Sequence, residues 1–596
     1  MKPFWRSFLA SSLALIIIGG FLIFMLVASI VGAVTSVVSS KFEFESDKKI
    51  EVKDNSVLHI TFKNPLSEVS FAEFDKEAFK LNQGFGLREI KLGLEKAKND
   101  ENIKGILLNA SSMPAGMATT EEVRNAIKEF KEESGKFVVA YSETYTQKAY
   151  YLATVADKLY LYPEGMLEFQ GLGVEYLFFK KAIDKLGLDV QIIRGSNNKF
   201  KSAVEPFMYD HMSEANREQT MTYLNALWNQ MLKGISETRG ITKEELNEIA
   251  DSVYVRSAET AVEYKMVDDL IYEDELFAEL KEKAEAPEDK ELSLINFKKY
   301  CTKAAKEEKK KKGEDNIAVI YAVGGINSGK GSALSIGSET LSKAIREARK
   351  DENIKAIVLR VNSPGGSALA SDVIWREMVL AKEVKPVVVS MGDVAASGGY
   401  YISCQSDRIF AQPNTITGSI GVFGVLPNVS KPLEEKLGIT VDRAYTNRPS
   451  MMTITRKLTD EEYKIIQEGV DDIYMDFKQK VADGRPMLDV AGVDSIGQGR
   501  VWAGTDAIKI GLVDELGGID DAISYAAEKA GVEEVKIGVY PKKKNNKLLE
   551  LIEGLDVEAS APSVISIKVA SFIKAVENAS KVEGVQARLP FEIIIE

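Results

Sequence analysis

The chain has 596 residues, of which 76 are Lys or Arg and 89 are Asp or Glu, so its formal net charge of −13 gives no support for nucleic-acid binding. Its two cysteines, Cys301 and Cys404, are too few for a disulfide framework. No metal-binding or phosphate-binding motif is present, and the sequence therefore predicts no cofactor and no metal.

A long uncharged stretch lies near the N-terminus. No charged residue occurs between Arg6 and Lys41, and the apolar run 8–31 is long enough to span about 30 Å of hydrocarbon as a helix. This run exceeds the usual core of a cleaved signal peptide, about 7 to 15 residues, so we expect an uncleaved transmembrane helix. Lys2 and Arg6 precede it, which favours a cytoplasmic N-terminus and places the rest of the chain across the membrane.

Short apolar runs alternate with helical patterns along the rest of the chain. This alternation is typical of right-handed parallel βαβ units and predicts an α/β fold. Long helices are predicted over 214–239 and 460–482. The other predicted elements are strands at 57–62, 105–109, 137–141, 318–322, 356–361 and 386–390, and helices at 121–132 and 370–381.

The chain contains an internal repeat. Residues 100–106 recur almost unchanged at 351–357, and Tyr150-Tyr151 recurs as Tyr400-Tyr401. Such matches predict two copies of one domain. The predicted organisation is a cytoplasmic stub with a transmembrane anchor (1–48), a first copy (49–290), a charged linker (291–315), a second copy (316–540) and a C-terminal tail (541–596). The basic run in the linker suggests a solvated helix.

The second copy carries a serine in an elbow of small residues. Ser397 lies in the glycine-flanked segment 392–401, downstream of the Asn-Ser-Pro-Gly-Gly-Ser loop at 362–367. Small residues allow a serine hydroxyl to project at a sharp turn between strand and helix, and a Pro-Gly-Gly loop can direct backbone N–H groups at an oxyanion. An acyl-transfer serine enzyme needs both parts.

A serine nucleophile also needs a base, and the only histidines are His59 and His211. His59 lies in an apolar predicted strand. His211 lies near a helix start, for which Ser213 is a plausible N-cap. Neither is a good candidate, which leaves a lysine whose pKa is lowered by burial or by nearby positive potential.

The two copies are complementary around this predicted site. The first copy has Gln147 where the second has Ser397. The first copy contains two lysines, Lys199 and Lys201, in segment 198–207, whereas the matching segment 447–453 has none. Each copy therefore lacks what the other has, which indicates a single site divided between them.

Together, the serine elbow, the Pro-Gly-Gly loop, the Phe-Lys-Ser-Ala-Val-Glu-Pro-Phe segment at 200–207 and the tandem repeat resemble the long form of bacterial signal peptide peptidase A, also called protease IV. The resemblance covers about residues 50 to 540. It implies two Clp protease/crotonase-like domains, a homotetramer and a Ser-Lys dyad that cleaves peptides at the membrane. Matched by motif, the dyad is Ser397 as nucleophile and Lys201 as general base. The implied substrates are remnant signal peptides, outside the bacterial cytoplasmic membrane.

Within this scheme we expect the N–H groups of Gly366 and Gly398 to bind the oxyanion, and Gly365 to shape the loop. Glu205 must point away from Lys201 if the amine is to be neutral. Lys199 is the alternative base, because strand-like alternation would put it on the same face as Lys201.

Asp393 departs from the elbow pattern of the family, in which a small uncharged residue would fit more easily beside the nucleophile.

Two other classes of function could use parts of this sequence. A crotonase-like acyl-CoA enzyme could share the fold and the oxyanion hole, but it leaves the anchor and the divided dyad unexplained. A non-catalytic membrane scaffold would explain only the repeat and the anchor.

Overall fold

The computed structural model describes residues 52–75, 80–310, 314–447, 452–541 and 585–588. The predicted transmembrane anchor and most of the tail lie outside these ranges. Among the helices within them, none combines the length and the apolar character needed to cross a membrane.

Strands and helices alternate in the first part of the chain. The strands are β1 (Ser56–Ile60), β2 (Leu66–Ser67), β3 (Phe71–Asp75), β4 (Lys80–Gly86), β5 (Ile103–Leu108), β6 (Phe137–Tyr145), β7 (Lys158–Leu167), β8 (Asp189–Arg194), β9 (Asp269–Leu270) and β10 (Leu294–Asn296). The helices are α1 (Leu87–Asn99), α2 (Met117–Ser134), α3 (Gln147–Ala153), α4 (Lys180–Leu186), α5 (Glu205–Met208), α6 (Glu214–Arg239), α7 (Lys243–Asp251), α8 (Ala258–Glu263), α9 (Glu273–Lys283) and α10 (Phe297–Glu308).

The second part repeats this alternation. Its strands are β11 (Ile317–Val323), β12 (Gly325–Asn327), β13 (Ser335–Gly337), β14 (Ala356–Ser363), β15 (Gly365–Ser367), β16 (Val387–Ala396), β17 (Arg408–Ala411), β18 (Ile416–Gly418), β19 (Phe423–Asn428), β20 (Val501–Ala503), β21 (Glu515–Leu516), β22 (Ile537–Tyr540) and β23 (Val585–Arg588). Its helices are α11 (Ser338–Lys350), α12 (Ala368–Lys382), α13 (Gly398–Tyr401), α14 (Asp460–Gly484), α15 (Val490–Ile496), α16 (Gly504–Ala507) and α17 (Ile519–Ala530).

Each copy builds a parallel sheet with the same strand order. The first sheet runs β10-β1-β5-β6-β7-β9. In the second, β22-β11-β14-β16-β17-β21 is the corresponding path, and β18 and β20 extend the sheet beside the end of β16. The repeat seen in the sequence is therefore a repeat of topology.

Side chains on both faces of these strands are buried, as expected for parallel sheets covered by helices. In β11, Ile317 and Val319 belong to the core under α17, whereas Ala318, Ile320 and Ala322 belong to the core on the opposite face. Each predicted strand and helix falls within or overlaps an observed element, and the long helix α6 has the predicted bounds. The strand predicted at 386–390 continues to Ala396 and so delivers the chain to Ser397.

The segment predicted as a charged linker, 291–315, does more than connect the copies. It contains β10, which occupies the same place beside β1 that β22 occupies beside β11. It also contains α10, whose residues Tyr300 and Cys301 are buried. The fold of the first copy therefore continues past residue 290. Apolar residues recur at helical spacing among the charges of this segment, which gives α10 a face that can be buried.

A third sheet joins the two copies. Its order is β13-β12-β15-β23-β19-β8. Strand β8 comes from the first copy and pairs antiparallel with β19 of the second, with Arg194 opposite Phe423. This pairing carries the chain that follows β8, including Lys201, into the second copy.

A buried polar cluster also joins the copies. Arg360 in β14 is fully buried, and its guanidinium contacts two carboxylates of the first copy, Glu68 at 2.9 Å and Glu122 at 2.5 Å. It also donates a hydrogen bond to Ser390 Oγ at 2.8 Å. Burial raises the pKa of Glu68, and Arg360 opposes that shift.

Candidate active site

Ser397 lies at the turn between β16 and α13. Its backbone has φ 57° and ψ −115°, a left-handed φ that is uncommon for a residue other than glycine. The Ser397 N–H donates to the carbonyl of Gly418 at 2.8 Å, which helps to hold this turn. Gly399 has no room for a side chain, because a Cβ there would lie 2.7 Å from the carbonyl oxygen of Ser363. The elbow predicted from the sequence is present.

Lys201 approaches this elbow from the first copy. Its Nζ lies 2.8 Å from Ser397 Oγ, and the side chains of both residues are buried, with Lys201 1% exposed. The same Nζ lies 3.0 Å from both the carbonyl oxygen and the Oγ of Ser419. The two residues assigned by motif are therefore in direct contact.

Burial lowers the pKa of the Lys201 amine well below its usual value. The carboxylate of Glu205, four residues further on, accepts hydrogen bonds from Ser213 N (3.2 Å), Ser213 Oγ (2.6 Å) and Asn216 Nδ2 (3.0 Å). Glu205 is thus committed to the N-terminus of α6, where a negative charge is favourable. Ser213 is the N-cap of that helix, as predicted.

The three oxygens around Nζ can be satisfied by a neutral amine as well as by an ammonium group. A neutral amine has two N–H groups and one lone pair, whereas the ammonium form has three donors and no acceptor. Its two N–H groups can donate to the carbonyl and the hydroxyl of Ser419. In this neutral form, the lone pair would be available to accept the hydroxyl proton of Ser397, whose Oγ lies 2.8 Å away. This arrangement is the one required for proton transfer from serine to lysine.

Ser419 is a further residue beside Lys201 that was not predicted from the sequence. It follows β18 in the segment Gly418-Ser419-Ile420-Gly421 and has φ 50°. Its own hydroxyl lies 3.3 Å from the carbonyl oxygen of Gly499. The available signal was a serine between Gly418 and Gly421, but nothing local indicates that it faces a lysine of the other copy.

The backbone around Lys201 packs directly against the second copy. Gly499 has φ 81°, and a Cβ there would lie 2.5 Å from Lys201 Cβ. The N–H of Phe200 donates to the carbonyl of Gln498 at 3.0 Å. Gln219 of α6 donates to the carbonyl of Phe200 at 3.0 Å and accepts from Val501 N at 3.3 Å. These contacts fix the lysine backbone from both copies.

The Pro-Gly-Gly loop lies beside the elbow. Gly365 has φ 91°, and its N–H donates to Ser363 Oγ at 3.1 Å, which suits the loop-shaping role expected for it. Gly366 pairs with Ile326 of β12 so closely that a Cβ would collide with the Ile326 backbone. Gly398, the other expected oxyanion donor, is the first residue of α13.

Asp393 is a contact between the two copies. Its carboxylate accepts hydrogen bonds from Thr119 N at 2.8 Å and Thr119 Oγ1 at 2.6 Å. Thr119 lies in the first turn of α2, so Asp393 caps this helix from the other copy. Asn362 is also within reach, at 3.4 Å. The acidic residue in the elbow therefore has a structural partner.

The alternative bases lie in other surroundings. Lys199 is exposed, and its Nζ lies over the ring of Phe200, 4.9 Å from the centroid. His59 lies in β1 of the first sheet, and burial lowers its pKa. The exposed His211 has its Nδ1 2.7 Å from the Asp210 carboxylate. Among the described residues, Ser397 Oγ is hydrogen-bonded to Lys201 Nζ.

In the first copy, Gln147 occupies the position that corresponds to Ser397. Its Oε1 accepts from the N–H groups of Gln170 and Gly171 at 3.0 Å each, and its Nε2 donates to the Gly171 carbonyl at 3.1 Å. Gln147 begins helix α3, so the left-handed turn of the second copy is not repeated there.

Across the described part of the chain, no cluster of three His, Cys, Asp or Glu side chains is arranged to bind a metal.

Comparison with known proteins supports this division into copies. The model of peptidase family S49 matches the chain twice, over residues 130–287 and 380–533. Protease 4 of Salmonella typhi is 36% identical over 510 residues, which cover 84% of this chain and 81% of that protein. The chloroplastic serine protease SPPA of Arabidopsis thaliana is 33% identical over 90% of this chain and 78% of its own length. Protease 4 of Haemophilus influenzae is 34% identical over 74% of this chain and 72% of its own. With both copies matched and relatives aligned over most of their lengths, the chain belongs to peptidase family S49 and is a serine peptidase similar to the proteases 4 of Salmonella typhi and Haemophilus influenzae.

Proposed function

We propose that the protein is a membrane-anchored endopeptidase in which Ser397 is the nucleophile and Lys201 the general base. The observation that carries this proposal is the 2.8 Å contact between Lys201 Nζ and Ser397 Oγ in a buried site. The lowered pKa of Lys201 supports the same roles, because the base must be neutral before the reaction begins.

In the acylation step, the Ser397 proton moves to Lys201 Nζ as Oγ bonds to the peptide carbonyl carbon. The N–H groups of Gly366 and Gly398 would stabilise the resulting oxyanion. The protonated Lys201 then gives its proton to the departing amine nitrogen as the C–N bond breaks. The acyl group remains on Ser397 as an ester, and Lys201 is neutral again.

Deacylation repeats the sequence with water in place of serine. Lys201 removes a proton from the water, the hydroxide oxygen adds to the ester carbonyl, and the Ser397 oxygen leaves with the proton held by Lys201. Ser419, which contacts the amine through both of its oxygens, would orient the lysine in both steps.

The location and the substrates form a second part of the proposal. The uncharged run within residues 1–48 would anchor the chain in the cytoplasmic membrane, with the catalytic body on the extracytoplasmic side. The motifs shared with signal peptide peptidase A support remnant signal peptides as substrates, a Clp protease/crotonase-type fold and a homotetramer.

The dyad can be tested by covalent labelling. Wild-type protein treated with a fluorophosphonate should carry the label on Ser397, as located by mass spectrometry of its peptides. Peptidase activity should fall by at least about a thousandfold in Ser397→Ala and in Lys201→Met, and the double variant should be no worse, since members of one catalytic unit are not additive.

Lys199→Met is the matched control, because Lys199 is exposed and two residues away. It should retain wild-type activity and labelling. A label on another serine, or an active Lys201→Met variant with a normally folded structure, would disprove the proposed dyad.

A further inference from the structure

A short strand from the C-terminal tail lies inside the third sheet. Strand β23, Val585–Arg588, pairs antiparallel with β15 on one side and with β19 on the other. The tail segment therefore connects two strands that otherwise belong to different parts of the sheet.

Both neighbours of β23 belong to the active site. Strand β15 contains Gly365 and Gly366 of the loop expected to bind the oxyanion. Strand β19 follows Ser419 closely in the chain, and its other edge pairs with β8, which leads to Lys201. Removal of β23 would leave one edge of β15 and one edge of β19 open to another extended segment.

The register places the tail backbone along the predicted oxyanion loop. Arg588 is opposite Gly365, Ala587 is opposite Gly366, and Gln586 is opposite both Ser367 and Phe423. An extended peptide that presents its carbonyl to Gly366 and Ser397 would use these same edges, since strand addition is a common way to bind a peptide by its backbone. The tail and such a peptide cannot both be there.

We propose that β23 occupies the substrate-binding position and competes with peptide substrates. This inference rests on the proposed function, because it takes the space between β15 and β19 as the place where the substrate lies. Because β23 belongs to the same chain as the site, its binding is intramolecular and can have a high effective concentration, so four residues with weak intrinsic affinity can still compete.

The first test compares the full chain with a chain that ends at Pro541. The truncated enzyme should cleave a short fluorogenic peptide with a kcat/KM about tenfold higher, mainly through a lower KM, because the competitor is absent. A synthetic peptide with the sequence of residues 581–590 should restore competitive inhibition. An unchanged kcat/KM in the correctly assembled truncated enzyme would overturn the inference.

A pair of variants separates pairing by the backbone from other effects of truncation. Replacing both Gln586 and Ala587 with proline removes N–H groups from two consecutive residues, which face opposite neighbours in a strand. This double variant should behave like the truncated enzyme. Gln586→Ala keeps every backbone group and should behave like the wild type, whereas equal activity of the double-proline variant and the wild type would count against the proposal.

Hydrogen exchange provides a readout that does not depend on turnover. In the Ser397→Ala background, the amides of 365–367 and 423–424 should exchange faster after truncation and slow again when the 581–590 peptide is added. Exchange that is the same with and without the tail would refute the proposed occupancy. If the tail protects these amides but no form of the enzyme cleaves peptides, the proposed function fails and the tail contact stands.

Discussion

The Lys201 amine owes its expected reactivity to its surroundings. The side chain is buried, its Nζ contacts hydroxyl and carbonyl oxygens, and the nearby Glu205 carboxylate is bonded to α6. In water, an amine of this kind keeps its proton up to about pH 10.4. Burial without a partner carboxylate is what lowers its pKa.

The pH dependence of activity should reflect this lowered pKa. Neutral Lys201 is the active form, so kcat/KM should rise with pH through an inflection well below pH 10.4 and fall away on the acid side. The double variant His59→Gln, His211→Gln should keep this profile. Loss of the inflection in that variant, if folded, would make a histidine the base.

The same shift predicts a pH-dependent stability. Between the lowered folded pKa and about pH 10.4, the unfolded chain binds a proton at Lys201 that the folded chain does not. The free energy of unfolding of the wild type should therefore rise with pH relative to that of Lys201→Met. Urea unfolding from pH 7 to 9 measures the difference, and a constant gap between the two proteins would contradict the predicted shift.

Ser419 is expected to act as a positioning residue for the lysine. Ser419→Ala removes one acceptor of Nζ and keeps the carbonyl, so kcat should fall roughly fivefold, the effect of about one hydrogen bond, with little change in KM. Loss of an acceptor disfavours the protonated amine, so the inflection in kcat/KM should also move to lower pH. Ser202→Ala is the control, because the Ser202 hydroxyl accepts from Gln219 instead. An unmoved inflection would assign Ser419 a purely structural role.

Polar contacts between strands and helices hold the two copies together around the candidate site. Arg360 on β14 contacts Glu68 beyond β2 and Glu122 on α2, and Asp393 on β16 caps α2. These contacts lie on the strands that end at the Pro-Gly-Gly loop and at the serine elbow. Strands β14 and β16 therefore both hold the two copies together and position the Pro-Gly-Gly loop and Ser397.

Loss of the Arg360 charge should be strongly destabilising. Arg360→Met removes the guanidinium that contacts two buried carboxylates, which costs about 3 to 5 kcal/mol of unfolding free energy. The triple variant that also carries Glu68→Gln and Glu122→Gln should recover part of this loss, as measured by chemical denaturation. A loss below about 1 kcal/mol in Arg360→Met would show that the cluster contributes little to stability.

Each chain should contain one active site. The first copy has Gln147 in place of the nucleophile, and segment 447–453 of the second copy contains no lysine. Titration with a fluorophosphonate should therefore saturate at about one label per chain, measured by intact-mass spectrometry. Two labels per chain would mean that the first copy also holds a reactive serine.

Much of this architecture could be predicted from the sequence. Hydrophobic patterns depend on neighbours two to four residues away, so strands and long helices can be recognised in the sequence. The repeat can be recognised because segments of the two copies match each other. The contact between Lys201 and Ser397 could also be anticipated, because the copies can be compared position by position and each lacks what the other has. The alternation of lysines, however, left Lys199 and Lys201 both possible on residue pattern alone.

Tertiary structure decided the features that depend on long-range contacts. Lys201 is buried because segment 498–501 of the second copy packs against its backbone, whereas Lys199 stays exposed. The contact of Ser419 with the lysine and the pairing of β23 with β15 and β19 join residues far apart in the chain. The residue types present in the chain limit the candidates for a catalytic base to lysines. The packing of the two copies selects the lysine that is desolvated, because desolvation depends on what surrounds a side chain in three dimensions.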